Sequence, residues 1–148
     1  MKYPVNFSTL GKFSFTEEKA GKSETSRVSK TVVERTHGIV VNSLAKILER
    51  KGLEIGKDVN RDLFIHRNGR ITKLFEVKRS SASQSLYSAV GQLIVYSIPI
   101  KSPIDLILVL PDKLNKVVED RLKELGMRVL YYDWNDGEPI FIRLDKLL

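Results

Sequence analysis

One segment, residues 61–78 (RDLFIHRNGRITKLFEVK), constrains the fold more than any other part of the chain. Two runs of β-forming residues flank the pair Asn68 and Gly69, which is typical of a hairpin turn. The second run ends in Glu-Val-Lys, residues 76–78. Because alternate side chains of a strand lie on the same face, Glu76 and Lys78 are expected to project together.

The length of the turn decides where a preceding acid, Asp62, lies. A three-residue loop, residues 68–70, would pair Arg67 with Ile71 and set Asp62 opposite Glu76. A two-residue loop would shift the pairing by one residue and move Asp62 off that face. With the longer loop, two carboxylates and one ammonium group converge at a single point. Such a cluster can hold a divalent cation and a nucleophilic water beside a phosphate.

Composition limits which metal such a site could bind. The chain has 148 residues and no cysteine, which excludes disulfides and thiolate ligands. It has only two histidines, His37 and His66, which excludes a site built from several imidazoles. Oxygen ligands therefore remain, and they favour Mg²⁺ or Mn²⁺.

The length predicts one domain, and we expect it to be cytoplasmic and without membrane contact. The sequence has no run of about 18 apolar residues that could cross a bilayer, and its first residues lack the pattern of a signal peptide. The net charge is +7. Residues 61–100 carry 6 basic and 2 acidic side chains, whereas residues 101–148 carry 8 and 9. The positive excess lies with the candidate site and indicates a polyanionic partner, although many basic proteins bind no nucleic acid.

Hydrophobic periodicity predicts an α/β protein with the element order α-β-β-α-β-α-β-β. The predicted helices are residues 26–51, 85–98 and 112–125; the predicted strands are residues 61–66, 72–78, 104–110, 128–134 and 140–144. A mixed sheet with helices on both faces follows from this order. Residues 1–25 show no clear period and are predicted to form an irregular arm, followed by one domain over residues 26–148.

A third acid, Glu34, lies on the first predicted helix. His37 and Gly38 follow three and four residues on, near the same face. A glycine inside a helix is destabilising, so Gly38 predicts the close approach of another group. Glu34 is a candidate metal ligand, and His37 is a candidate auxiliary ligand or phosphate contact. The alternative is a solvated Glu34 that pairs with Arg35 or Lys30.

Four further polar residues are candidate contacts for the site or for nucleic acid. Gln92 and Tyr96 lie four apart on one face of the second helix, where Gln92 could hold Lys78 and Tyr96 could bind a phosphate. Lys73 and Arg79 are also suited to phosphate contacts. Ordinary surface positions are the alternative for all four.

Taken in series, these motifs resemble the PD-(D/E)XK nuclease superfamily. The matching residues are Glu34, then Asp62, then Glu76-Val77-Lys78, then Gln92-Leu93-Ile94-Val95-Tyr96. The last motif is similar to that of the branch with lambda exonuclease and the RecB nuclease domain. The helix end at residues 49–52 is similar to archaeal Holliday-junction resolvases. Arg61 stands where the family name has proline.

The resemblance implies a restriction-endonuclease-like fold and Mg²⁺-dependent hydrolysis of phosphodiester bonds. It implies Asp62, Glu76 and the Val77 carbonyl as metal ligands, and Lys78 as the catalytic lysine. It also implies Glu34 as an additional acid and Gln92 as an orienting group.

A metal-dependent DNA nuclease, acting in restriction, defence or DNA repair, is therefore the expected function. Short catalytic domains of this type often form homodimers that cut both strands. One alternative is a resolvase that selects four-way junctions. Another is a protein with the same fold and no catalysis, either a nucleic-acid-binding module or an interaction subunit of a defence complex.

Overall fold

The structure is a computed structural model that describes residues 27–148, so the predicted arm at residues 1–25 lies outside the described residues. The helices are α1 (Arg27–Arg50), α2 (Ser83–Ser97) and α3 (Lys116–Glu124), and a short 3₁₀ helix spans Leu144–Leu147. The strands are β1 (Glu54–Gly56), β2 (Leu63–Arg67), β3 (Arg70–Val77), β4 (Asp105–Leu110), β5 (Met127–Asn135) and β6 (Glu138–Ile142). None of the described helices is long and apolar enough to cross a membrane.

The six strands form one mixed sheet in the order β1-β2-β3-β4-β5-β6. The central strands β3, β4 and β5 are parallel, and the outer pairs are antiparallel. The predicted α/β class and mixed sheet are therefore confirmed. The sequence pattern missed β1, which has only three residues and is too short to show a period. It also started α3 too early, because Asn115 caps this helix and its side chain accepts a hydrogen bond from Val118 N.

The β2–β3 turn differs from the predicted three-residue loop. Arg67 pairs with Arg70, so the loop contains only Asn68 and Gly69. Both have positive φ angles, 52° and 74°, as a type I′ turn requires. The expected three-residue loop is thus wrong, because the Asn-Gly pair satisfies the tighter turn by itself.

A β-bulge restores the register that the shorter turn would have lost. His66 pairs with Ile71 but Ile65 pairs with Lys73, which leaves Thr72 as the extra residue. Thr72 Oγ1 donates a hydrogen bond to the Ile65 carbonyl, 3.3 Å away. From the bulge onward the pairing shifts by one residue, and Leu63 lies opposite Phe75. The next two residues that face each other along these strands are Asp62 and Glu76, which is the pairing that the longer loop would have given.

The two faces of the sheet are covered by different helices. α1 packs on one face, where its Val40, Leu44 and Leu48 join a core that includes Phe75 and Val77. α2 and α3 pack on the other face, around a core formed by Leu74, Leu86, Ala89, Leu93, Leu108, Leu110, Leu114, Leu122 and Met127. Since side chains alternate along a strand, the residue between Phe75 and Val77 projects toward α2. That residue is the charged Glu76.

Candidate active site

Two carboxylates and one ammonium group meet at the carboxyl end of β3. Lys78 Nζ lies 2.8 Å from Glu76 Oε1, and the Val77 backbone N–H donates to Asp62 Oδ2 at 3.0 Å. The two acids are close enough for the charge of Asp62 to raise the pKa of Glu76. The hairpin pattern thus predicted correctly which groups converge, while their chemical roles stay predictions.

Glu76 is the only charged side chain that is buried in the part of the chain the structure describes, with 4% of the residue exposed. Burial is the main reason that its pKa is raised above the ordinary value, because a buried carboxylate loses its hydration. The charge of Asp62 raises this pKa further, whereas the hydrogen bond from Lys78 lowers it. One ammonium group therefore does not offset the combined effect of burial and a second carboxylate on the pKa of Glu76.

His37 from α1 contacts the same oxygen atom of Asp62 as the Val77 N–H does. Its Nε2 lies 3.1 Å from Asp62 Oδ2, and this hydrogen bond is the main cause of the raised pKa of His37. Burial acts to raise the pKa of Asp62, but the hydrogen bonds from His37 and Val77 N outweigh it and the pKa is lowered. The structure therefore makes His37 the partner of a candidate ligand, a contact between residues 25 positions apart that no sequence motif indicates.

Lys78 is held by hydrogen bonds to two strands, β4 and β5, and to one helix, α2. Its backbone N–H donates to the Val109 carbonyl at 2.9 Å, and its own carbonyl accepts from the Tyr132 hydroxyl at 3.0 Å. Its Nζ donates to Gln92 Oε1 at 2.6 Å, the contact that was expected from the position of Gln92 on α2. Tyr132 was missed, because it lies 54 residues from Lys78 and reads in the sequence as an ordinary strand residue.

An open cavity of about 350 Å³ lies beside this cluster. Its lining residues come from α1, from the end of β3 and from the loop before α2: Glu34, His37, Val77, Lys78, Arg79, Ser80 and Ser85. Glu34 and Arg79 are exposed and share this cavity with Lys78, as their candidate roles require. Ser80 and Ser85 were not singled out from the sequence, where the serine-rich stretch reads as a loop and helix start.

Other candidate residues lie away from this cavity. Lys73, near the middle of β3, forms an ion pair with Asp105 at the start of β4. Tyr96 is half-buried near the end of α2, where its carbonyl accepts hydrogen bonds from Arg61. The close approach expected at Gly38 is not found among residues 27–148, where a Cβ at this position would meet nothing within 4 Å.

The oxygen atoms at the strand end fit a hard divalent cation. No group of three or more acidic or histidine side chains suited to a metal ion occurs within residues 27–148. Mg²⁺ often binds proteins through only one or two carboxylates and completes its shell with other oxygens. Asp62 and Glu76 are the two carboxylates that could supply that pair, and burial raises the pKa of Glu76 above its ordinary value.

Comparison of the chain with protein-family models, with curated proteins and with solved structures finds no match.

Proposed function

We propose that this chain is a Mg²⁺- or Mn²⁺-dependent nuclease that hydrolyses phosphodiester bonds in DNA, with a fold of the PD-(D/E)XK, restriction-endonuclease-like type. One observation carries this assignment: Asp62, Glu76 and Lys78 meet at a strand end beside an open cavity. A protein that only binds DNA gains nothing from carboxylates that face phosphates. Restriction, other defence against foreign DNA and DNA repair are the processes that such hydrolysis would serve.

Asp62 and Glu76 would hold the cation, with the Val77 carbonyl as a further ligand. When bound, a divalent cation activates water and stabilises the negative charge that develops on the phosphate. Asp62 is suited to this task because its lowered pKa keeps it ionised. His37 and the Val77 N–H hold its Oδ2 atom, and so fix the orientation of the carboxylate.

Lys78 would place a positive charge beside the scissile phosphate. Its Nζ is held between Glu76 Oε1 and Gln92 Oε1, and its backbone is held by Val109 and Tyr132. A charge that is fixed before the substrate arrives stabilises a transition state better than a mobile one. Gln92 thus acts as an orienting residue for Lys78.

Arg79 and Glu34 would act at the wall of the cavity. Arg79 directly follows Lys78 and lines the same cavity, so its guanidinium can contact a neighbouring phosphate. Glu34 is an additional acid with a smaller contribution, because it is exposed and water already solvates its charge.

The test is a cleavage assay on labelled linear duplex, single-stranded, four-way-junction and RNA substrates, each with Mg²⁺ and with Mn²⁺. We expect metal-dependent DNA cleavage that is lost in Lys78→Ala while DNA binding is retained. Lys101→Ala is the matched control, since it removes an exposed lysine beside the hairpin tip. Cleavage of the junction alone would identify a resolvase. Binding without cleavage under every metal would contradict the nuclease and support a binding module.

A further inference from the structure

The chain has one tryptophan, Trp134, which lies near the end of β5 and is 43% exposed. Its ring packs edge-on against the ring of Tyr132, with 5.9 Å between the ring centroids. Tyr132 is itself only 1% exposed. The tryptophan therefore rests on a buried ring and keeps part of its own surface accessible, which suits an aromatic side chain that stacks against a flat ligand.

Tyr132 connects Trp134 with the residues of the cavity. Its hydroxyl donates a hydrogen bond to the Lys78 carbonyl at 3.0 Å. Burial raises the pKa of Tyr132 to about 12, and the positive charge of Arg79 acts against this rise. Since Lys78 and Arg79 both line the cavity, a short series of neighbouring side chains leads from its wall to the exposed tryptophan.

The β5–β6 hairpin projects beyond the edge of the sheet where the cavity lies. β4 ends at Leu110, which pairs with Tyr131, whereas β5 continues to Asn135. Because a strand advances about 3.3 Å per residue, β5 extends about 13 Å past the end of β4. Trp134 lies on this extension, two strands away from β3. A nucleic-acid strand with a phosphate at the end of β3 can cover that distance with a few nucleotides.

The charges of the hairpin favour a base over a phosphate at Trp134. Trp134 pairs with Pro139, which is buried. Asp133 and Glu138 are the neighbouring residues on the two strands, so alternation turns both acids to the opposite face. A third acid, Asp136, lies in the turn. The tryptophan thus offers an uncharged surface on a hairpin whose acids repel phosphates, while the cations that attract phosphates lie in the cavity.

We propose that Trp134 stacks on an unpaired base of the DNA strand whose phosphate lies in the cavity. Bases inside a duplex are already covered on both sides by their neighbours, so this contact requires a single-stranded segment or a frayed end. The protein therefore prefers DNA that is unpaired beside the bond to be cut. This inference rests on the proposed function, because it takes the cavity as the place of the phosphate.

The fluorescence of the single tryptophan provides a direct test. The full chain is titrated with a single-stranded oligonucleotide in the presence of a chelator, so that no strand is cut, and the anisotropy of a labelled oligonucleotide reports binding separately. We expect the emission of Trp134 to be quenched as the strand binds. The control is an abasic strand of equal length, which has the same phosphates but no bases. It should bind through the cavity without quenching the emission.

Two variants of Trp134 measure what the stacking contributes to affinity. Trp134→Ala should weaken binding of the single strand by about tenfold or more, the size of one lost base stack, and Trp134→Phe should restore most of the affinity. Binding of the abasic strand should be the same in all three proteins, which also shows that the fold is intact. The matched control is Tyr87→Ala, which removes an aromatic side chain that is 71% exposed on α2 and should leave the affinity unchanged.

The outcomes separate this inference from the proposed nuclease activity. Quenching by the single strand without cleavage under any metal would support the stacking and contradict the nuclease. Cleavage by a protein whose emission does not change at saturating single-stranded DNA would support the nuclease and overturn the stacking. Equal weakening of both strands by Trp134→Ala, or no binding of the single strand by the wild type, would overturn the stacking as well.

Discussion

Two charged clusters include residues of β3 and differ in how their charges are compensated. In the first, Lys73 near the middle of β3 and Arg128 of β5 both form ion pairs with Asp105 at the start of β4. The pKa of Asp105 is lowered, mainly by the hydrogen bond from Lys73. We call these three residues the Asp105 cluster. At the end of β3, Glu76 is buried and its pKa is raised.

The second group, Asp62, Glu76, Lys78 and His37, is the Glu76 cluster. The Asp105 cluster sets two cations against one carboxylate and is partly exposed, so it is complete without a ligand. The Glu76 cluster sets two carboxylates against one lysine and one histidine whose charge depends on pH. Burial and the second carboxylate raise the pKa of Glu76 above its ordinary value, and perturbed carboxylates cluster at functional sites.

The largest expected difference between the clusters is in catalysis. Glu76→Gln should lower metal-dependent DNA cleavage by about 10³-fold, on the scale seen when one preorganised electrostatic group is removed. Asp105→Asn removes a carboxylate of similar size from the start of the neighbouring strand β4 and should stay within about threefold of the wild type. Single-turnover cleavage rates at saturating Mg²⁺ give the comparison. Equal losses in both variants would mean that the clusters do not differ as described.

A smaller effect is expected at the wall of the cavity. Glu34→Gln should lower the cleavage rate by about tenfold or less, because water already screens this exposed carboxylate. The same rate assay measures it, with Glu49→Gln as the control, since Glu49 is an exposed acid near the far end of α1. A loss as large as that of Glu76→Gln would assign Glu34 a direct role in holding the cation.

Stability should change in opposite directions in the two clusters. A raised pKa means that the folded state disfavours ionised Glu76, so the folded protein loses stability as the pH rises above about 4.5. Glu76→Gln should therefore raise the free energy of unfolding by on the order of 1 kcal/mol at pH 8 without metal. Asp105→Asn should lower it by up to about 1 kcal/mol, the value of a partly exposed pair.

Urea unfolding at pH 8 in the presence of a chelator measures both changes. The gain from Glu76→Gln should shrink at pH 4, where the wild-type carboxyl is protonated as well. If Glu76→Gln is strongly destabilising at pH 8, Glu76 holds the fold together and the contrast between the clusters fails.

The smallest expected effect is the pH-dependent contribution of the His37–Asp62 pair to the free energy of unfolding. The raised pKa of His37 stabilises the fold below pH 6.5, and this contribution is lost as the pH rises through the folded-state pKa. The lowered pKa of Asp62 stabilises the fold above pH 3.8 and is lost on acidification. The pair should thus contribute most between about pH 4 and pH 6.5.

His37→Gln should accordingly cost the most stability near pH 5.5, by about 0.5–1 kcal/mol, and less at pH 8.5. Asp105→Asn provides the reference, because Asp105 is paired with a lysine and an arginine and not with a histidine. The cost of Asp105→Asn should stay constant from pH 5.5 to pH 8.5. A cost for His37→Gln that is equally constant would show that the ion pair with Asp62 does not form.

The sequence predicted the α/β order and the meeting of Asp62, Glu76 and Lys78, because strand alternation and the Asn-Gly turn are local signals. It could not predict how the hairpin reaches that register. The β-bulge at Thr72 cannot be recognised from the order of apolar and polar residues. The sequence therefore favoured a longer loop, which gives the same pairing of Asp62 with Glu76.

Contacts between residues far apart in the chain could not be predicted from the sequence either. Lys73 was expected to bind phosphate, but the parallel register of β3 and β4 sets it opposite Asp105. The contact of His37 with Asp62 depends on how α1 lies on the sheet. Neither the register nor the helix position follows from local spacing.

Binding of Mn²⁺ to the wild type, Asp62→Asn, Glu76→Gln and Asp105→Asn, followed by calorimetry or paramagnetic resonance, tests the central claim most directly. The wild type and Asp105→Asn should bind the ion with similar affinity, and each of the two site variants should lose at least tenfold. Unchanged Mn²⁺ affinity in Asp62→Asn and Glu76→Gln, or no binding by the wild type with or without DNA, would contradict a cation site at the end of β3.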